Sequence, residues 1–368
     1  MTIVYYISGH GYGHGVRSCD IIAEILRQSP GAAVSVVTDL PGSFLRSRLP
    51  GEVRIRHGVF DAGMVQLDSI RVDVGATLRA VSALLSRRQE LIAGEAELLR
   101  RARARVVVAD IPAMPLAAAR RAGIPGVAVG NFAWNWIYGE FVERDASWSP
   151  LVRAFEEDYS TAALLLRLPF CEPMSVFPRV EDLPLVASPG RRRRSELAAL
   201  AGCGEDRRWV LLSFASLDLP DAALDRMEQQ AGYEFFTVKP LEWRRRNIHP
   251  VDRAQMPFSD VLASVDAVVS KPGFGLVSEC VVNRKPLLYA DRTDFREYPI
   301  LVEGVRRYLQ NLHIPSASLY AGELRPCLDA LWHAPRPLET APMGGAVLAA
   351  KRILGAGEER GSGAGAPA

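Results

Sequence analysis

Ile3-Val4-Tyr5-Tyr6-Ile7-Ser8-Gly9-His10-Gly11-Tyr12-Gly13-His14-Gly15 is the stretch whose reading decides the fold. Its first five residues are apolar and partly β-branched, the mark of a buried strand. That strand gives way to a loop with glycine at every second position, and Val16 to Arg27 then carries helical spacing. Strand, glycine-rich turn and helix together open a nucleotide-binding α/β unit, because glycines let backbone N–H groups approach a phosphate at a helix N-terminus. Two histidines stand inside this loop. A turn that is only structural has no need of imidazoles, so the loop reads as a reaction site.

The same alternation continues outward. Ala33 to Thr38 reads as a second strand and Val53 to Val59 as a third, followed by a loop through Asp61, Met64 and Gln66. A long helical segment is expected from about Val74 to Arg103. Val106 to Asp110 and Gly126 to Val129 are Val-rich enough for buried strands, and the helix between them stops at Gly123 and Pro125. Strand alternating with helix means a parallel sheet covered on both faces, whose ligands bind beyond the C-terminal strand ends. Asp39, Asp61, Asp110 and Asn131 each follow an expected strand. After a Pro- and Arg-rich stretch containing Arg191 to Arg194, the alternation restarts at Trp209. The division is therefore 1–170 for an N-terminal Rossmann-like domain, 171–208 for a linker and 209–340 for a second such domain. A C-terminal helix is expected over 341–354 and a disordered tail over 355–368.

Composition bounds the rest. The 368 residues can bury a large core and length alone suggests two domains. A formal net charge of +2 argues against a general nucleic-acid binder. No run reaches the roughly 20 apolar residues that cross a bilayer, and the N-terminus lacks the form of a signal peptide. The cysteines, Cys19, Cys171, Cys203, Cys280 and Cys327, show no CxxC spacing, so neither a zinc site nor a disulfide framework is indicated. They fit a reducing compartment, and the cytoplasm is the expected location.

The histidine loop is neither a Walker A loop nor HExxH. Against the dinucleotide fingerprint it offers Gly9 and Gly11 but His14 at the third glycine, which weakens an NAD reading that Asp39 keeps open. His10 and His14 could merely cap the helix. An imidazole whose ordinary pKa is about 6.5 is nonetheless suited to take a proton from a hydroxyl, which favours catalysis or substrate contact for at least one of them. A second strand–turn–helix motif runs from Val268 to Glu279. There the N-terminus of the helix, with Gly273, Phe274, Gly275 and Ser278, could hold a diphosphate, Lys271 could add charge, and Glu279 could bind both hydroxyls of a ribose. Polar residues from Asp291 to Glu297 could hold sugar hydroxyls, and Ser213 and Ser216 could offer donors to a phosphate. Asn131 to Tyr138 is dense in aromatics, suited equally to core packing and to stacking on a ring.

Taken together these motifs resemble the GT-B glycosyltransferases. More closely, the chain is similar to the glycosyltransferase-like N-terminal part of plant L-arabinokinase and its stand-alone bacterial relatives. The carrying residues are the Gly9-to-Gly15 loop with Arg17, Phe60 to Gln66 with Asp68 and Asp73, Val107 to Asp110, Asn131 to Tyr138, Glu157 to Tyr159, Arg167 to Pro169, Lys271 to Gly275 and Phe295 to Pro299. They cover roughly residues 1 to 330. The kinase half of that protein is not expected here, so sugar kinase activity is not implied.

The resemblance implies two Rossmann-like domains facing a cleft, with a nucleotide-diphosphate sugar as donor, a small-molecule acceptor, and no cofactor or metal. His14 best matches the acceptor-side histidine of the family, with His10 the competitor. The acceptor side would include Gly11, Tyr12, Asp61, Gln66, Asp110, Asn131 and Trp134. Glu279 would bind the donor ribose and Glu297 the transferred sugar. The chain departs from the family pattern at Phe214-Ala215-Ser216, where Gly-Gly-Ser is usual, and at Tyr298, where glutamine is usual. Alternatives on the same architecture are a nucleotide-sugar epimerase, an NAD-dependent enzyme, or a non-catalytic nucleotide-sugar binding protein.

Overall fold

A computed structural model describes residues 1–362, with side chains described through residue 358. Two compact units divide the chain. The first comprises Met1–Val65, Asp73–Ala187 and the residues from Pro342 on. It contains β1 (Thr2–Ile7), α1 (Tyr12–Gln28), β2 (Ala33–Thr38), α2 (Gly42–Arg46), β3 (Arg54–His57), α3 (Val74–Leu85), α4 (Arg88–Arg101) and β4 (Val106–Asp110). Then come α5 (Met114–Arg121), β5 (Gly126–Gly130), α6 (Trp134–Gly139), α7 (Trp148–Tyr159), β6 (Leu164–Arg167) and β7 (Val180–Asp182).

The second unit comprises Gln66–Val72 and Ser188–Ala341. It contains α8 (Arg194–Ala201), β8 (Arg208–Ser213), α9 (Asp221–Glu228), β9 (Tyr233–Val238), β10 (Ile248–Val251), α10 (Phe258–Ser264) and β11 (Ala267–Ser270). These lead into α11 (Phe274–Val282), β12 (Leu287–Ala290), α12 (Tyr298–Tyr308), β13 (Asn311–Ile314), α13 (Ser316–Tyr320) and α14 (Arg325–Leu331). The last helix, α15 (Gly345–Ser362), belongs to the first unit.

Each unit is built on one all-parallel sheet. The first has the order β3-β2-β1-β4-β5-β6-β7 and the second β10-β9-β8-β11-β12-β13. Central strands with both faces covered read as near-continuous apolar runs, and β4 and β5 are buried at every residue, Asp110 at the end of β4 being the charged exception. In each sheet the strand order reverses beside the first strand of its unit, which places a crevice at the C-terminal ends of β1 and β4 and of β8 and β11. The loop quoted at the outset leaves β1 at the first of these ends, and Lys271 leaves β11 at the second.

The structure departs from sequence expectation in several places. The helix expected over 74–103 is two helices, α3 and α4, meeting at Ser86 and Arg87. Past that junction Arg88 clamps the Asp158 carboxylate with Nε and Nη2. β10 contains Pro250 and is an edge strand, the one place in a sheet where a missing N–H costs no ladder bond. The stretch 171–208 is shared out: its first part stays with the first unit, and its end contributes α8 to the second. α15 continues beyond Leu354, with Ala349, Ala350, Ile353 and Leu354 in one core cluster with Ile21, Ile22 and Ile25 of α1. Residues 363–368 of the expected tail lie outside the described residues.

Gln66–Val72 is the other departure. Asp68 holds this segment in a tight turn, its carboxylate accepting the backbone N–H groups of Ile70 and Arg71 and the Tyr320 hydroxyl at 2.8, 2.9 and 3.0 Å. Ile70 is 3% exposed and sits in the core cluster of the second unit with Leu212, Phe214 and Leu241.

Candidate active site

In the first unit the site is assembled by register. β1 and β4 pair with Ile7 opposite Asp110, so the acid emerges beside the start of the histidine loop. His14 lies in the first turn of α1, and Arg17 follows three residues later on the same helix face. His14 Nδ1 is 2.8 Å from Asp110 Oδ1. Arg17 Nε donates to Asp110 Oδ2 at 2.7 Å, its Nη2 to Oδ1, and its Nη1 to Asn131 Oδ1. Ser18 Oγ donates to Asp110 Oδ2 at 2.9 Å. Asp110 is wholly buried and His14 is 8% exposed.

These contacts fix protonation. Burial works against a charge on Asp110, but the Arg17 guanidinium and His14 outweigh it and hold the carboxyl well below the usual carboxylate range. An ionised carboxylate only accepts. His14 Nδ1 stands between this acceptor and a donor, Arg17 Nη2, at 3.0 Å; in the tautomer that donates from Nδ1 to Asp110, Nε2 keeps its lone pair. At His10, Nδ1 accepts the Met64 N–H at 3.3 Å, so the neutral ring carries its hydrogen on Nε2. Gly63, at φ +63°, lies so close that a Cβ there would enter the His10 ring.

The remaining residues of the acceptor group fall as follows. Gly11 is the extended N-cap of α1, and Tyr12 is 41% exposed with its ring against Phe44. Trp134 is 1% exposed, donates from Nε1 to Asp61 Oδ2 at 2.9 Å, and packs edge-on against His10 and face-on against Tyr138. Its ring is therefore committed to packing that carries His10. Asp61 is also buried; burial raises its carboxyl pKa, and hydrogen bonds from Ser8 and Trp134 oppose the rise. Asn131 Nδ2 donates to the Pro169 carbonyl, leaving Oδ1 for Arg17. Gln66 is exposed and belongs to the second unit.

In the second unit the donor residues gather at the C-terminal ends of β8, β11 and β12. Ser270, on β11, donates its hydroxyl to the Ser213 carbonyl at the end of β8. Gly273 is the extended N-cap of α11, followed by Phe274 and Gly275, with Ser278 and Glu279 one turn on and Glu279 buried. A Cβ on Gly273 would lie 2.9 Å from Lys271 Nζ, so the glycine makes room for the amine over the helix start. Burial pushes the Lys271 pKa down to about 7, and the neighbouring Arg292 adds to the fall. Burial likewise lowers Arg292 to about 10. Glu297, the N-cap of α12, lies 3.4 Å from Arg292 Nη1, while Arg292 Nε is buried with no partner among the described residues. Two neighbouring cations with one carboxylate make a setting for an anion.

Ser216 is placed differently from expectation. Its N–H and that of Ala215 both donate to Ser69 Oγ, at 3.0 and 3.1 Å, and the Ser69 N–H donates to the Ser216 carbonyl at 3.0 Å. The N–H groups proposed to meet a phosphate are thus engaged by the 66–72 turn. Sequence reading passed over Ser69 and Ser18 as site residues, and took Arg292 only within the polar stretch Asp291 to Glu297. It quoted Arg17 only as part of the loop motif, although its i,i+3 spacing from His14 on a helix was the available signal.

Comparison with known proteins follows the same lines. No protein-family model matches the chain. L-arabinokinase of Arabidopsis thaliana is 29% identical over 349 residues, which is 89% of this chain, and the chain spans about a third of that protein's length (32%). A UDP-glucosyltransferase from Polygonum tinctorium, solved with 3,4-dichloroaniline, superposes with a TM-score of 0.64 at 13% identity, covering 97% of this chain and 98% of its own. UGT2 of Phytolacca americana, solved with UDP-2-fluoro-glucose and pterostilbene, does so at 0.60 and 14%, covering 99% and 94%. The chain has the GT-B glycosyltransferase fold and is a distant homologue of L-arabinokinase. Among the described residues no helix is long and apolar enough to cross a membrane.

Proposed function

We propose that this GT-B protein transfers a sugar from a nucleotide-diphosphate sugar to a small-molecule acceptor, with His14 as the general base. The carrying observation is the His14–Asp110–Arg17 arrangement, in which an imidazole donating from Nδ1 to Asp110 would offer Nε2 as the proton acceptor. The acceptor hydroxyl loses its proton to Nε2 as its oxygen forms the bond to the anomeric carbon. The bond from that carbon to the diphosphate oxygen breaks in the same displacement, with inversion. Asp110 does not exchange the proton; it orients the ring and stabilises the imidazolium. Gly11 and Tyr12 border the acceptor.

On the donor side, the N–H groups at the start of α11, with Lys271 and Arg292, take the charge that develops on the leaving diphosphate. Glu279 accepts from the ribose hydroxyls and Glu297 from the transferred sugar. No metal ion is assigned to the transfer step. The fold shared with a UDP-glucosyltransferase and with a protein solved around a UDP-sugar analogue supports this reading. The dinucleotide alternative is less well served, since the residue at the third glycine position, His14, is committed to Asp110. Melting-temperature screening against nucleotide-diphosphate sugars, followed by turnover with a panel of hydroxyl acceptors, tests the proposal. Stabilisation by a nucleotide-sugar and acceptor-dependent release of its nucleotide are expected. Stabilisation by NAD alone, or epimerised donor formed without acceptor, would contradict it.

A further inference from the structure

At the opposite, N-terminal end of the second sheet, three side chains of different kinds converge. Trp209 of β8 pairs with Glu234 of β9, and His249 of β10 pairs with Phe236. Side chains alternate along a strand, so Trp209, Glu234, Phe236 and His249 share one face, with Glu234 and His249 diagonal neighbours. His249 Nε2 lies 2.7 Å from Glu234 Oε2. Cys203 arrives from a third element, the turn that ends α8. The ligand atoms of Cys203, Glu234 and His249 all lie within 4.8 Å of one another.

We propose that these three residues form a binding site for a zinc-class divalent ion. A thiol, an imidazole and a carboxylate together are the donor set that favours Zn2+ over the oxygen-seeking Mg2+ and Ca2+. Ligands around a tetrahedral zinc stand about 3.4 Å apart, given bonds of about 2.0 to 2.3 Å. The ion therefore enters with small side-chain movements: the Glu234–His249 hydrogen bond opens, the thiol releases its proton to water, and a water fills the fourth position.

The surroundings hold the ligands in place. Arg207 Nη1 keeps the other Glu234 oxygen at 2.9 Å, an outer-shell contact that leaves Oε2 for the ion. The His249 ring packs at a tilt against Phe236, which in turn packs at a tilt against Trp209. Gly202 at φ +68° ends α8, and the Cys203 N–H returns to the Ala198 carbonyl. Arg194 pins the rest of the turn by donating to the Arg207 carbonyl and to Asp266, with its guanidinium 4.0 Å above the Trp209 ring. A bound ion would tie the edge strand β10 to this turn, away from the strand ends that carry Ser213 and Lys271. Its role is structural, and the proposal stands independently of the transferase reading.

Co2+ and Zn2+ added to chelator-treated full-length protein provide the test. The wild type is expected to take up one Co2+ per chain with a thiolate-to-cobalt charge-transfer band, and to melt at a higher temperature with Zn2+ than without. Cys203→Ser should abolish the band, the control Cys327→Ser should keep it, and His249→Gln should weaken Zn2+ binding by at least about tenfold, the loss that removing even an outer-shell partner can produce. A folded wild type with no thiolate–cobalt band, or a band that survives in Cys203→Ser, would overturn the proposal and leave Glu234, His249 and Arg207 as an ion-pair network alone.

Discussion

The Asp110 carboxylate accepts from Arg17 Nε at 2.7 Å and lies 2.8 Å from His14 Nδ1, so one buried acid meets the imidazole and neutralises the guanidinium beside it. Removing that charge acts on stability as well as on chemistry. Asp110→Ala leaves Arg17 buried without its counter-ion, and breaking a buried pair in this way costs about 3–5 kcal/mol. Urea unfolding at neutral pH measures the loss; a change below about 1 kcal/mol would show that the pair does not bear on the fold.

The same acid gives a pH signature. Its folded-state pKa lies below the unfolded value of about 3.9, so its contribution is present above that value and is lost as pH falls through the folded one. Asp110→Asn should therefore flatten the fall in unfolding free energy below about pH 4. An unchanged slope in the variant would contradict the assignment.

Lys271 shifts in the same direction but in a different pH window, and there the cause is burial. With its pKa lowered to about 7, the unfolded chain holds more protons than the folded one between there and about 10.4, so stability rises with pH across that window. A diphosphate beside the amine favours the charged form, so binding takes up a proton. UDP affinity should be greatest below about pH 7 and decline above it. Calorimetry in buffers of differing ionisation heat would read the uptake, and Lys271→Met should remove it. Binding by the wild type with no proton uptake at pH 8 would place the diphosphate elsewhere.

Ser69 occupies the Ala215 and Ser216 N–H groups. A phosphate on that loop has to replace the hydroxyl, whose two hydrogen bonds contribute about 1 kcal/mol each. Ser69→Ala should then tighten UDP binding by about fivefold or more. Weaker binding in the variant would mean that the hydroxyl helps to hold the donor.

What could be read from the sequence was local. The β1 loop, the Val-rich β4 ending in Asp110, and the turn from Lys271 into α11 each carry strand, turn and helix signals within a dozen residues, and each stands where that pattern puts it. Contacts that depend on distant parts of the chain gave no such signal. Ser69 reaches Ser216 across 147 positions. Cys203, Glu234 and His249 lack any spacing motif because parallel strands bring them together. β10 was hidden by Pro250, which only an edge position tolerates. The choice between His10 and His14 was likewise closed to sequence, since it turns on what surrounds each ring: Asp110 and Arg17 at His14, the Met64 N–H at His10.

That choice is the centre of the account, and single-turnover sugar transfer by His14→Ala and His10→Ala, with donor binding measured alongside, tests it most directly. Loss of a general base predicts a fall on the order of 10²–10⁴-fold for His14→Ala with donor affinity retained, and a smaller loss for His10→Ala. Transfer by His14→Ala at the parental rate would contradict the role assigned to His14.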